Sequence, residues 1–391
     1  MDKGRFALVI CDIHPSTSGQ AVVSRQVYDL LSIKYNIIYV PLSYTSREKR
    51  KSFILRFFFI FEFIFKLLIF LLKKSDKKII YFTPSRGTIS IYRDFLILSI
   101  LKILKKNITK NKIKIFSHLH GSDMKKNYDK FFIKSFFKKI YNELNINIII
   151  LDEAHKNFAL GENYKYYSII PNFVKISDIK YSRIILDTRN EEFIKFKKNF
   201  PAKINFLHLS GVLKNKGLDF TIKLINKLNS DRNFINFKAS FCLEIVGWKK
   251  LDLISMYPNL YKTVDKMEKN SSIKFHGKIK DNDDLKKVFS RTHFNILLSE
   301  TEGQPLSLIE AASFGSLSII NNIDFIERLL LKIDGFLLER SDLKDCVLKV
   351  KKLINEIDDE YFNYKNCLIR NQKIKKIFSK DSFEKNIISI L

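Results

Sequence analysis

Cysteine, glycine, proline and acidic residues are all scarce in this chain. Its four cysteines, Cys11, Cys242, Cys346 and Cys367, are scattered along 391 residues. That spacing excludes a Cys-based metal or dithiol motif, and Cys11 and Cys242 fall in apolar runs that read as core thiols in a reducing compartment. Only 12 glycines and 7 prolines are present, with no fixed-period repeat, so each Gly or Pro at the end of an apolar run carries positional meaning. Asp and Glu number 41 against 69 Lys and Arg, a formal charge of +28. Such a deficit of acid implies an anionic partner: nucleic acid, a phosphorylated ligand or acidic lipid headgroups. Part of it also reflects the Lys-, Ile-, Asn- and Phe-rich composition that an AT-rich genome yields. No helix-turn-helix, zinc or RNA-platform pattern is present, so nothing beyond charge supports nucleic acid. Met1–Arg5 leads into an apolar run without the features of a secretory signal, so a cytoplasmic protein is expected.

What is present is alternation. Apolar runs of strand length at Phe6–Cys11, Asn36–Val40, Lys78–Phe82, Lys112–Ser117 and Ile146–Leu151 are separated by helical patterns, among them Gln20–Ser32, Ile91–Lys106 and Phe131–Leu144. A second series runs through Lys203–Leu209, Ser240–Gly247, Ile273–His276, Phe294–Leu298, Leu317–Asn321 and Gly335–Leu338. Two successive strand–helix series predict two doubly wound, Rossmann-like α/β domains. The break is placed after Ile170-Pro171-Asn172, giving domains 1–172 and 173–357 and a helical tail 358–391. Ligands in such folds sit beyond the carboxyl ends of the strands, which here predicts a cleft between the domains.

The most informative stretch is Ser299-Glu300-Thr301-Glu302-Gly303-Gln304-Pro305-Leu306, continuing through Glu310, Ala311-Ala312 and Gly315. An apolar strand enters a polar loop, Pro305 suits the first helical position, and Gly315 suits the C-terminal cap. Free N–H groups at a helix start attract anions, whereas a neighbouring carboxylate accepts hydrogen bonds from hydroxyls. Phosphate plus hydroxyls describes a sugar nucleotide. A capped surface helix with two solvated glutamates is the plain alternative.

With Phe325-Ile326-Glu327 and Asp334-Gly335-Phe336-Leu337-Leu338 further on, this segment resembles the Glu-x7-Glu signature of retaining glycosyltransferases of the GT-B fold, family 4 type. The resemblance implies Glu302 beside the donor hexose and Glu310 on the ribose hydroxyls. Gly303, Gln304, Pro305 and Leu306 would line the donor. In Ser210-Gly211-Val212-Leu213-Lys214-Asn215-Lys216-Gly217, Lys216 matches the lysine that grips the donor diphosphate. Gly211 stands where relatives carry an arginine, the bidentate phosphate ligand, and Lys214 is a candidate replacement. Gly247, closing Ile245-Val246-Gly247, permits close approach of ligand, and His276 either borders the base or is a loop histidine. In the first domain, Gly19 in Ser16–Gln20 resembles the family's glycine loop. His120, in His118-Leu119-His120-Gly121, matches the histidine that touches the donor sugar. His118 points the same way in an extended chain and is assigned with Arg86 to the acceptor. The implied mechanism retains anomeric configuration, with Glu302, His120 and Lys216 as the catalytic set and no metal. Asp283-Asp284 reads as helix capping rather than a metal motif.

One segment stands apart. Ser52–Leu72 is nearly all Phe, Ile and Leu, interrupted by Arg56, Glu62 and Lys66. Central charges cost about 2.5–3.5 kcal/mol each and apolar residues return about 0.3–0.6 each, so hydropathy does not decide for a transmembrane span. Flanking strands of one sheet exclude it, leaving an interfacial or a buried helix. Basic residues upstream (Arg47, Lys49, Arg50, Lys51) and downstream (Lys73, Lys74, Lys77, Lys78) favour an anionic membrane surface. The sequence therefore predicts a GT-B hexosyltransferase. It would move sugar from a UDP- or GDP-linked donor to a lipid-linked or envelope saccharide acceptor, as a peripheral protein of the inner membrane face. The alternative is a GT-B-like membrane scaffold without catalysis.

Overall fold

Two six-stranded sheets, parallel throughout, take up the apolar runs in chain order. The computed structural model describes residues 4–13, 19–42, 53–84, 88–110, 112–120, 133–155, 164–231, 239–323 and 326–391. The chain divides into a first unit, Met1–Phe173 with Asp381–Leu391, and a second, Val174–Lys380.

The first unit contains β1 (Phe6–Cys11), α1 (Gly19–Lys34), β2 (Asn36–Pro41), α2 (Phe53–Leu72), β3 (Lys78–Phe82), α3 (Thr88–Ile103), α4 (Lys105–Lys110), β4 (Lys114–His118), α5 (Ile133–Glu143), β5 (Asn147–Ile150) and β6 (Tyr167–Ile169). Its strand order is β2-β1-β3-β4-β5-β6. Side chains alternate with the two-residue period of a strand. Ala7, Val9, Ile79 and Tyr81 face α1 in one core, while Leu8, Ile10, Ile80 and Phe82 face α2, α3 and α5 in the other. The helical run expected over Ile91–Lys106 is broken at Leu104 into α3 and α4. Strand β6 has no counterpart in the sequence reading, because three residues at a sheet edge show no periodicity.

The second unit contains α6 (Arg183–Lys197), β7 (Ala202–Leu209), α7 (Leu218–Ser230), β8 (Ala239–Val246), α8 (Lys250–Met256), α9 (Tyr261–Lys269), β9 (Ile273–Gly277), α10 (Asn282–Arg291) and β10 (Phe294–Leu297). It continues with α11 (Leu306–Ser313), β11 (Leu317–Asn321), α12 (Glu327–Ile333), β12 (Gly335–Leu338), α13 (Leu343–Glu356) and α14 (Tyr364–Phe378). The order β12-β11-β10-β7-β8-β9 reverses between β7 and β10. That reversal makes the carboxyl ends of β7 and β10 the switch point of the sheet, the place where ligands of such folds bind. The final helix, α15 (Lys380–Ile390), buries Phe383 and Ile387 in the α1 core of the first unit. Residues 358–380, grouped with it in the sequence reading, fall in the second unit, where α14 buries Ile374 and Phe378.

Helix α2 buries Phe63, Leu67 and Phe70 against the sheet. Its Glu62 and Lys66 form an ion pair, and Lys66 Nζ also donates to the Tyr39 carbonyl at 2.7 Å. Among the described residues no helix is long and apolar enough to cross a membrane.

Candidate functional site

At the switch point of the second unit, two loops are tied together. After β7 the chain passes Ser210 and Gly211, makes a 3₁₀ turn at Lys214–Lys216, and enters α7 through Gly217 in the left-handed region at φ 70°. A Cβ on Gly217 would stand 2.0 Å from the Leu298 carbonyl oxygen, so only glycine lets this loop lie against the end of β10. Glu300 N–H donates to the Asn215 carbonyl at 2.9 Å, and Asn321 Nδ2 donates to the Ser299 carbonyl at 3.0 Å. Within this frame Lys216 Nζ lies 2.6 Å from Glu302 Oε1, and Ser299 Oγ donates to the same oxygen at 2.7 Å. The side chains are only 19% and 10% exposed, so the pair is shielded from water and competes weakly with it.

Eight residues on, Glu310 is in a different state. Leu308, Ile309, Ala311 and Ala312 of α11 are buried, which draws the intervening carboxylate into apolar surroundings. Burial pushes Glu310 up to about 7. Among the described residues none donates a hydrogen bond to its carboxylate; Ser313 Oγ donates to its backbone carbonyl instead, at 2.6 Å. Pro305 is the N-cap of this helix, one position earlier than expected, and Gly315 follows the C-cap at φ 78°. Gly303, Gln304 and Leu306 line the turn between the two carboxylates, all half-buried.

Below the β7 loop is a brace that the sequence reading missed. Ser210 Oγ lies 2.9 Å from His208 Nε2 and accepts from Trp248 Nε1 at 3.0 Å. Burial, reinforced by the charge of Lys216, lowers His208 to about 3, so the ring stays neutral beneath the lysine. Gly247 has φ 96°, and a Cβ there would stand 2.1 Å from the Ser210 carbonyl oxygen. Gly247 thus serves close packing of strand ends. The one signal available in sequence was the lone tryptophan, Trp248, beside that glycine. His276 is also engaged: its Nε2 lies 2.7 Å from Glu244 Oε2. Burial alone would raise Glu244, but its bonds to His276 and Arg291 outweigh this and hold it at about 2. Lys214 is exposed, with its carbonyl accepting from Tyr257 OH at 3.1 Å. A Cβ at Gly211 would meet nothing within 4 Å.

In the first unit, β4 delivers His118 and His120. Their rings stack with centroids 4.0 Å apart, and His118 Nδ1 lies 2.8 Å from Tyr81 OH. His118 is fully buried, which lowers it to about 3. The two rings lie on one side, as expected of residues two apart in an extended chain. Gly19 is the first residue of α1. Arg86, Ser16–Ser18, Gly121 and residues 47–51 lie outside the described residues. Asp281, rather than Asp283 or Asp284, caps α10, accepting from both of their N–H groups. Among the described residues no three His, Cys, Asp or Glu side chains group as a cation site requires.

Residues 190–367 match the family model for glycosyl transferases group 1. The matched segment lies wholly within the second unit. The chain is accordingly a glycosyltransferase of GT-B type, and its carboxylate pair, Lys216 and α11 all lie inside the matched segment. Similar folds occur in a glycosyltransferase from Rickettsia africae, 16% identical with a TM-score of 0.65, covering 100% of this chain and 98% of that one. A sucrose-phosphate synthase from Thermosynechococcus elongatus is 13% identical, with a TM-score of 0.63 over 99% and 98% of the two chains. HepE from Anabaena, solved with UDP and glucose, is 11% identical, with a TM-score of 0.60 over 99% of each. At these identities the likeness establishes the architecture of the glycosyltransferase and no more. No curated protein sequence matches the chain.

Proposed function

We propose that this glycosyltransferase transfers a hexose-type sugar from a nucleotide-sugar donor, with retention of configuration, to a lipid-linked or cell-envelope saccharide. The observation that carries the reading is the pairing of opposites at the β7–β10 switch point: Lys216 held by Glu302, and Glu310 half-buried without a donor. A half-buried carboxylate with no donor is poorly solvated, and two vicinal ribose hydroxyls supply the donors it lacks. The donor diphosphate takes Lys216 and the first N–H groups of α11, which stabilise the leaving dianion as the glycosidic bond breaks. Glu302 then faces the hexose, and the leaving phosphate accepts the proton of the attacking hydroxyl. HepE with UDP bound supports a UDP-linked donor. No metal is assigned a role, and activity is expected to survive chelation.

The test is a thermal-shift titration with UDP-, GDP- and ADP-linked sugars on the wild type and on Glu310→Ala. One donor should raise the melting temperature of the wild type with occupancy and leave the variant unmoved. Equal stabilisation of both proteins would overturn the assignment of Glu310. Loss of transfer on chelation, restored by a divalent cation, would overturn the metal-independent mechanism.

A further inference from the structure

Helices on the face of an α/β sheet ordinarily turn apolar side chains inward and polar ones outward. Helix α2 does not. At about 100° per residue, Phe61, Phe65, Leu68 and Leu72 fall within roughly a sixth of the circumference, directly opposite the core residues Phe63, Leu67 and Phe70. They are exposed, Phe61 by 67% and Leu72 by 82%. The charged residues that should occupy this outer pole sit on the flank, where Lys66 is spent on Glu62 and the Tyr39 carbonyl. Helix α3 repeats the arrangement: Tyr92, Leu96 and Ile103 are exposed opposite the buried Leu98 and Leu101. Both helices pack on the same face of the first sheet, in one core, so their outer poles form one apolar platform. Its end is basic: Lys73 and Lys74 follow α2 directly and are exposed.

We propose that this platform is the surface by which the protein lies on an anionic lipid bilayer. The inference deepens the lipid-linked acceptor reading above and is independent of donor chemistry. The argument for lipid is the pairing of an aromatic and aliphatic face with a lysine cluster at its margin. Apolar side chains enter the acyl boundary while the ammonium groups meet headgroup phosphates. A helix of this kind needs no span, in keeping with the absence of a membrane-crossing helix among the described residues.

The experiment is flotation of the full chain with vesicles of phosphatidylcholine mixed with phosphatidylglycerol, against phosphatidylcholine alone. Wild type should float with the anionic vesicles and release as salt rises. Phe61→Ser with Phe65→Ser should weaken flotation at least about tenfold. Both positions are exposed, so its melting temperature and its stabilisation by donor should match wild type. Lys73→Glu with Lys74→Glu should remove the salt-sensitive part. No flotation of wild type, or equal flotation of the aromatic variant, overturns the proposal. So does a wild-type dimer that dissociates in the aromatic variant without either protein floating, which would assign the face to a second copy. Loss of donor stabilisation in the wild type would instead strike the donor reading and leave this one standing.

Discussion

At the carboxyl ends of β7 and β10, Lys216 and Glu302 are locked 2.6 Å apart and Glu310 waits without a donor, whereas at the end of β4 two histidine rings stack 4.0 Å apart on a tyrosine. The first arrangement is electrostatic and unfinished; the second is neutral and braced. An ion pair shielded from water exchanges one partner for another at small net cost, since desolvation has already occurred. Under the proposed function a diphosphate competes with Glu302 for Lys216, and the carboxylate turns to the sugar. Burial keeps His118 uncharged at any pH in the neutral range, so that ring has no charge to exchange. One arrangement is suited to respond to a charged ligand and the other to hold a shape.

The sharpest way to break this contrast is Lys216→Ala. Removing a preorganised charge from a developing dianion costs about 10²–10³ in turnover. It also removes the lysine from Glu302, which keeps the Ser299 hydroxyl as a donor. Glu302→Gln should lose a similar amount, and the double variant should lose much less than the product of the two, because they act as one unit. Additive losses in steady-state kinetics would show that the pair is structural only.

Glu310→Gln comes next and should separate stability from binding. The folded-state value of Glu310 is raised to about 7, so the folded chain holds the proton more tightly than the unfolded chain does. Stability from this group is therefore fully present below the ordinary glutamate value and is lost as pH rises through about 7. The amide carries no such penalty. At pH 8 the ligand-free variant should be more stable than wild type by about 1–3 kcal/mol, with the difference closing as the pH is lowered toward 4.5. Donor affinity should meanwhile fall about tenfold or more, as a charged acceptor is replaced by a weaker one. In wild type, donor binding should tighten between pH 6 and 8 and release protons in the course of the titration, because hydroxyl donors favour the ionised carboxylate. Calorimetry in buffers of different ionisation enthalpy reads this directly; binding indifferent to pH would mean that Glu310 does not meet the donor.

The same contrast explains what was legible in the sequence. The second unit's site could be read because its residues are bound to backbone devices with sequence signatures: Gly217 where the loop touches Leu298, Pro305 and Gly315 at the ends of α11, apolar runs that can only be buried strands. The ion pair between Lys216 and Glu302 could not be read, since 86 residues separate them and only the strand order brings them together. The His208–Ser210–Trp248 brace was hidden for a similar reason: each residue is individually unremarked, and the shared hydroxyl exists only in space. In the first unit, alternation along β4 placed His118 and His120 on one side, but the Tyr81 bond could not be read, because it depends on β3 lying beside β4. Helix α2 was read correctly as apolar with a narrow polar stripe, yet the stripe's direction, toward Tyr39 rather than outward, depends on where the sheet lies.

Two smaller tests refine the comparison from either side. Gly211 is exposed and a Cβ there would meet nothing within 4 Å, so the fold should accept Gly211→Arg within about 0.5 kcal/mol. If the β7 loop is a phosphate site short of one ligand, donor affinity should rise a few-fold, and more for the diphosphate than for the free sugar. An unchanged or weakened affinity would mean that Lys214 and Lys216 already satisfy the phosphates. The least effect is expected from Tyr81→Phe. It removes the hydroxyl from His118 Nδ1, leaving a buried ring nitrogen without that partner, at a cost of about 1–3 kcal/mol in stability. Donor affinity and its pH dependence should not move, because the ring beneath His120 stays in place and stays neutral. A changed pH profile for transfer in Tyr81→Phe would instead show that the histidine pair passes a proton.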